Sequence, residues 1–246
     1  MKNSLNKSQI ERFSRQLVLK SIGPKGQKKI LLSKILIVGV GGLGCPAAES
    51  LVRAGIGTIG LVDNDIINLS NIHRQSLFNS KDVKKLKVSV AAKKLKEINP
   101  LTKIVTYKSR LDEKNIENII KNYELIIDGS DNFKTKFLIN DYCIKYKKKL
   151  ITGAISKFDG HIFTFDFKDK KTASLKNFYQ EKEISDDILN CESEFNISSE
   201  ILDSWKKHLK QGIFLFLKLK VNIWPSNLLI APVIRIFLNL KQKSFN

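Results

Sequence analysis

The sequence predicts an α/β fold, with a mainly parallel sheet, helices on both faces and an antiparallel extension toward the C-terminus. Three observations carry this. Short apolar runs alternate with amphipathic stretches from Lys34 to Ile155, as they do in a parallel sheet with crossover helices. The first run empties into a glycine-rich turn, Gly39-Val40-Gly41-Gly42-Leu43-Gly44, and a helical pattern follows it. Beyond the last parallel run, GHIFTFDF (160–167) changes to period two, the pattern of an antiparallel strand with one exposed face.

Taken in order, residues 1–33 form an N-terminal helical arm, with a helix over 8–20 carrying Arg12 and Arg15. The strands are KILIVGV (34–40), TIGLVD (58–63), KIVTYKS (103–109), ELIID (124–128) and KLITGA (149–154), with the antiparallel strand after them. Helices are expected over 42–54, 81–98, 112–122 and 132–146. The helix over 81–98 stops at Asn99-Pro100, because proline restricts its predecessor and cannot continue the hydrogen-bond ladder. The sheet domain therefore spans 34–168. Residues 169–200 are polar and read as a long crossover loop. An atypical basic tail fills 201–246: from Ser204 onward there are eight Lys+Arg and no Asp or Glu, and both tryptophans fall here.

A chain of 246 residues, 42% hydrophobic, fits one large α/β domain with a real core. Its net charge of +19 comes mostly from lysines spread through helical stretches such as Lys81 to Lys96. No aromatic interleaving, zinc-finger or RNA-binding signature accompanies them, so the excess reads as solvated surface that attracts acidic partners, and no nucleic acid is expected. Cys45, Cys143 and Cys191 are few, scattered and odd in number, which argues for a reducing compartment. The N-terminus lacks the apolar core of a secretory signal, and the longest apolar stretch, Val221 to Ile234, is broken by Pro225 and Pro232. A cytoplasmic protein with no membrane association is expected.

The glycine turn lies between a strand and a helix, the context a G-x-G-x-x-G match requires. Gly39, Gly41, Gly42 and Gly44 let the backbone turn tightly and approach a phosphate, which the helix N-terminus then stabilises. Asp63 ends the next strand, 19 residues beyond Gly44, where a carboxylate can accept hydrogen bonds from ribose hydroxyls. The turn alone does not choose between NAD, FAD and ATP. Asn71, Arg74 and Gln75 follow Asp63, and Lys87 lies on the next helix, so two cations can converge over the glycine turn. That charge matches a triphosphate better than a pyrophosphate bridge. The plain alternative is that Arg74 and Lys87 are solvated surface cations. Asp128 and Asp131, in IIDGSDN (126–132), sit at the carboxyl end of a strand, where Mg²⁺ can join a carboxylate to phosphate oxygens. Asp131 is the favoured metal-facing group, although either Asp could instead cap the helix beginning near Asn132.

RFSRQ, GVGGLGCPAA, LVDNDIINLSNIHRQ, Lys87 within LKV, EINP, DGSDN and the GAI…GHIFTF strands resemble, in order and spacing, the MoeB/ThiF/HesA family of enzymes related to ubiquitin-activating enzymes. The resemblance covers roughly residues 8–194. It implies a Rossmann-like adenylyltransferase that uses ATP and Mg²⁺ to activate the C-terminal glycine of a small ubiquitin-fold sulfur-carrier protein, releasing pyrophosphate. It assigns the ATP cradle to Gly42 and its neighbours, ribose to Asp63, phosphates to Asn71, Arg74 and Lys87, Mg²⁺ to Asp131, and a pocket wall to Asn132. It also implies a homodimer in which Arg15 reaches the triphosphate of the other subunit. The carboxylate is already ionised at neutral pH and needs no general base.

The chain also departs from this pattern. Many members hold zinc with two Cys-x-x-Cys pairs; here Ser174 and Asn177 take the first pair's place and no second pair exists, so zinc is not expected. Cys191 aligns with a cysteine that some relatives use for sulfur transfer, but its acidic neighbours argue against a reactive thiolate, and Cys45 reads as a small packing residue. The tail replaces the family's glycine-rich final helix and reads as a degenerate C-terminus, with simple divergence as the plain alternative. Two alternative functions follow: a catalytically impaired dimer that binds a ubiquitin-fold protein, and a NAD-dependent oxidoreductase, which would lack any visible acid or base for hydride transfer.

Overall fold

The computed structural model describes residues 5–156, 159–169, 172–179 and 219–220. Its elements are helices α1 (Lys7–Leu17) and α2 (Gly23–Leu32), strand β1 (Lys34–Val38), α3 (Gly44–Ala54), β2 (Thr58–Val62), α4 (Lys87–Ile98), β3 (Lys103–Tyr107), α5 (Ile116–Ile120), β4 (Leu125–Asp128), α6 (Phe133–Lys145), β5 (Lys149–Ser156), β6 (Asp159–Asp166) and the two-residue β7 (Leu219–Lys220). They build one sheet in the order β3-β2-β1-β4-β5-β6-β7. The pairs from β3 through β5 are parallel, while β5 with β6 and β6 with β7 are antiparallel.

Along β1 the side chains alternate between two cores. Ile35 and Ile37 join Leu51 and Val52 of α3 and Val88 and Leu95 of α4 on one face. Leu36 and Val38 join Ile116 and Ile120 of α5 and Phe137 and Ile139 of α6 on the other. Past the exposed Lys34 the strand is buried on both sides, which is why ILIV reads as a continuous apolar run. Helices therefore cover both faces, as expected.

Several boundaries shift for local reasons. β1 stops at Val38 because Gly39 adopts φ +85°, outside the extended region. The helix expected over 81–98 begins only at Lys87; Ser80–Asp82 form a 3₁₀ turn closed by Asn79, and Lys84 takes φ +68°. α2 went unpredicted, since its GPKG start looks like a turn, although Pro24 is tolerated in a first helical turn.

The expectation of an exposed face on β6 is corrected. Every residue from Gly160 to Phe165 is buried. Ile162 enters the first core, while Phe163 and Phe165 enter the second, where Phe178 and Tyr179 fold back over them with ring centroids 5.1–6.2 Å apart. The segment read as a polar loop from residue 169 thus begins as a packed strap over 172–179. The remainder of that loop, and the tail apart from Leu219–Lys220, lie outside the described residues.

The arm packs at the end of α3 remote from the glycine turn. Phe13 and Gln27 are buried against Gly55, Gln27 Nε2 donates to the Ala54 carbonyl at 3.0 Å, and Arg12 donates to the Ile98 carbonyl at the end of α4. No helix among the described residues is long and apolar enough to cross a membrane.

Gly44 provides a direct test of this packing, because a Cβ there would run into the carbonyl oxygen of Gly39. Gly44→Ala is expected to cost about 1–3 kcal/mol, the scale of overpacking. A urea midpoint equal to that of the wild type would contradict it.

Candidate nucleotide site

The site lies at the carboxyl edge of β2, β1 and β4. Strand order reverses between β1 and β4, the crevice in which open α/β sheets bind ligands. The glycine turn forms its floor. Gly39 has φ +85°, and a Cβ on it would stand 2.8 Å from the carbonyl oxygen of Gly129 in the turn after β4. The two turns therefore touch through backbone alone. Leu43, at the N-cap of α3, makes no side-chain cap; Pro46 carries no N–H and the Cys45 N–H donates to the Gly41 carbonyl, so the N–H groups of Gly42, Leu43 and Gly44 are the ones left to meet an anion. Above Gly41 and Gly42 the nearest groups are the Gln75 amide (3.8 Å from a Gly41 Cβ) and the Arg74 stem (3.6 Å from a Gly42 Cβ).

Asp63 follows β2 and joins it to this floor. One carboxylate oxygen accepts from the Val40 N–H at 2.7 Å, the other from the Asp65 N–H at 2.8 Å. Burial pushes its pKa up, while those two N–H groups and the charge of Lys87 pull the other way. A carboxylate has further lone pairs, so Asp63 can still accept from a ligand hydroxyl.

The cations are held differently from one another. Arg74 is exposed, with Nη1 3.0 Å from the Ser70 carbonyl and 2.9 Å from His73 Nε2. Lys87, the first residue of α4, is buried to 6% exposure and pairs with Asp65 at 2.8 Å. For Lys87 the solvated-surface alternative is thus corrected: a lysine stem inside the core with its head on a mostly exposed carboxylate is a placed cation. Asn71 and Gln75 shape the turn between them. Asn71 Oδ1 accepts from the Asn68 N–H, and its backbone carbonyl accepts from the N–H groups of Arg74 and Gln75. Of the Asn71 side chain, the NH₂ group is the one that can donate to a phosphate.

The two aspartates after β4 separate cleanly. Asp128 is fully buried and bonded to Ser130, Lys136 and Thr152, which leaves Asp131, exposed on the turn, as the carboxylate able to meet a metal ion. Asn132, not an aspartate, caps α6 by accepting from the Thr135 N–H at 2.9 Å. One carboxylate beside the glycine turn fits Mg²⁺, which would complete its shell with phosphate oxygens and water. Arg15 is exposed on the arm and is not brought to this site, since α1 docks at the far ends of α3 and α4.

Sequence reasoning missed Lys136, Ser130 and Thr152, and one lysine among so many carries no signal of burial. Asp65, two residues beyond Asp63, was also overlooked. Cys45 is a buried packing residue, donating to the Val40 carbonyl, with its thiol pushed up to about 12 by burial. Cys191 lies outside the described residues. Where relatives carry a cysteine pair, Ser174 and Asn177 close a 3₁₀ turn reciprocally: Asn177 Oδ1 accepts from the Ser174 N–H at 2.7 Å, and the Ser174 hydroxyl accepts from the Lys176 N–H. Those oxygens are not a zinc-thiolate set, and no group of three or more metal-binding side chains occurs among the described residues.

A mainly parallel α/β sheet with a glycine-floored crevice at its switch point is the class that this edge defines. The profile of the ThiF family matches residues 13–237, and the chain belongs to that family. That match runs past the 8–194 of the motif resemblance, into the basic tail. The chain is 41% identical over 159 residues to a sulfur carrier protein adenylyltransferase of Thermus thermophilus, covering 65% of this chain and 59% of that one. It is 42% identical over 166 residues to a probable molybdopterin-synthase adenylyltransferase of Gracilaria tenuistipitata, covering 68% and 47%. The chain thus spans about half the length of these relatives. Among solved structures, E. coli tRNA N6-threonylcarbamoyladenosine dehydratase in complex with ATP is 28% identical, with a TM-score of 0.58 over 63% of this chain and 66% of that one. E. coli MccB, at 23% identity and a TM-score of 0.67 over 93% and 64%, shares the fold.

The raised pKa of Asp63 gives a signed prediction. A carboxyl whose native pKa lies above its unfolded value of about 3.9 contributes stability that is fully present below that value and lost as pH rises through the native one. Asp63→Asn should escape that loss, so the variant's stability relative to wild type should rise across this window. A pH-independent difference in urea stability would contradict the burial argument.

Proposed function

We propose that the chain is an ATP-dependent adenylyltransferase that activates the C-terminal glycine carboxylate of a ubiquitin-fold sulfur-carrier protein. The observation that carries this reading is the pairing of an uncapped helix N-terminus with Arg74 and the buried Lys87 around a glycine floor to which Asp63 is hydrogen-bonded. Two cations beside a glycine floor suit a polyphosphate, and the named relatives that support it are adenylyltransferases.

In the reaction, a carboxylate oxygen of the carrier attacks the α-phosphorus of ATP. The bond to the β-phosphate oxygen breaks, pyrophosphate leaves with the bonding pair, and an acyl-adenylate remains. No proton moves, which agrees with a site whose named residues bind charge and shuttle none. Arg74, Lys87 and the NH₂ of Asn71 oppose the repulsion between carboxylate and phosphates; Gln75 lines the turn, Asp63 takes the ribose, and Asn132 with Gly39 to Gly44 shapes the pocket. Asp131 would hold Mg²⁺, which offsets phosphate charge when bound. Arg15 serves the partner's site in a homodimer, a role consistent with an arm docked away from its own glycine turn. Cys191 contributes no essential thiol to this step.

The direct test is exchange of labelled pyrophosphate into ATP, dependent on an added sulfur carrier. Arg74→Ala and Lys87→Ala should each slow it by roughly 10²–10³, the scale of losing one electrostatic donor. Unchanged exchange in both variants would remove both cations from the chemistry. No zinc takes part: a chelator should leave thermal melting unchanged, and a lowered midpoint would show a metal site in the chain.

A further inference from the structure

Asp128 ends β4 without solvent contact, and its carboxylate is spent inside the chain. Oδ1 accepts from the Ser130 N–H at 2.9 Å and from the Ser130 hydroxyl at 2.6 Å. Oδ2 accepts from the Lys136 ammonium at 3.0 Å and from the Thr152 hydroxyl. Lys136, with its side chain 3% exposed, also donates to the Gly153 carbonyl at 2.8 Å. A carboxylate offers about four lone-pair sites, and here all four are used. β4, α6 and β5 are thereby tied together at the carboxyl edge, and the turn between β4 and α6 is folded around Asp128.

That turn carries Asp131 and touches the glycine floor through Gly129. We propose that the buried Asp128–Lys136 pair is a positioning device for Asp131: it fixes the 129–132 turn so that Asp131, and not Asp128, is presented at the phosphate edge. Three features support this. An apolar residue at 128 would fill the space but could not hold both donors of Ser130. A buried ion pair contributes little net stability compared with an apolar pair of the same shape, so its retention here is better explained by the geometry it imposes. Lys136 also neutralises a carboxylate that would otherwise add to the negative charge of bound phosphates. Asp128 and Lys136 touch neither nucleotide nor metal and act through the turn.

The inference rests on Asp131 as the Mg²⁺ ligand, and the experiment separates the two. In the protein without nucleotide, amide hydrogen exchange at Ser130 reads the turn directly; nucleotide binding is then measured by calorimetry with Mg²⁺ and with EDTA. Lys136→Met should speed exchange at Ser130 and weaken Mg²⁺-dependent ATP binding roughly 10-fold or more, the scale for outer partners of a metal ligand, while binding in EDTA is unchanged. Lys136→Arg should restore both. Ser130→Ala, which removes one hydroxyl and leaves the ion pair, should weaken Mg²⁺-dependent binding in the same direction and decides the matter if Lys136→Met fails to fold. Asp131→Asn is the control. If it weakens Mg²⁺-dependent binding and Ser130→Ala does not, positioning is wrong while the ligand assignment stands. If Asp131→Asn has no effect, the ligand assignment itself falls and the positioning role with it.

Discussion

The site depends on a backbone contact that permits no side chain. Gly39 leaves β1 at φ +85°, its carbonyl lies where a Cβ on Gly44 would need to be, and its own missing Cβ makes room for the carbonyl of Gly129. The first crossover and the turn after β4 therefore meet at van der Waals distance across the switch point of the sheet. Every charged group of the site is placed relative to that contact. Asp63 hydrogen-bonds to Val40 within the glycine turn, Arg74 lies over Gly42, and Asp131 leaves the chain two residues after Gly129.

Around this floor, burial sorts like-charged groups into different tasks. Three carboxylates stand at the strand ends, yet each sits in a different environment. Asp128 is buried and neutralised by Lys136, Asp63 is partly desolvated and held by two N–H groups, and Asp131 is exposed on its turn. The cations divide likewise, with Lys87 anchored in the core and Arg74 reaching across the surface. A site of placed charges with no proton shuttle suits chemistry in which a preformed carboxylate must approach a polyphosphate.

Much of this was legible in the sequence because the signals are local. β1, β2 and β4 are buried on both faces, so they appear as continuous apolar runs, and G-V-G-G-L-G fixes the switch point by a requirement no other residue meets. Period two in β6 suggests an exposed face, yet its polar positions, His161 and Thr164, are buried, which no local pattern reveals. The strap over 172–179 looks like loop in the sequence, because its aromatic anchors, Phe178 and Tyr179, have a purpose only once β6 lies beneath them. Lys136 was invisible because burial of one lysine in a chain with 43 Lys+Arg depends on Asp128 eight residues earlier and on Gly153 in another strand.

The central claim, that the carboxyl edge of β2, β1 and β4 is a triphosphate site, is tested most directly by a crystal structure with a non-hydrolysable ATP analogue and Mg²⁺. The account predicts phosphates over Gly41 to Gly44 within reach of Arg74 and Lys87, ribose on Asp63 and the metal on Asp131. An analogue bound with its phosphates away from the glycine turn, or a metal held by Asp128 in place of Asp131, would contradict it.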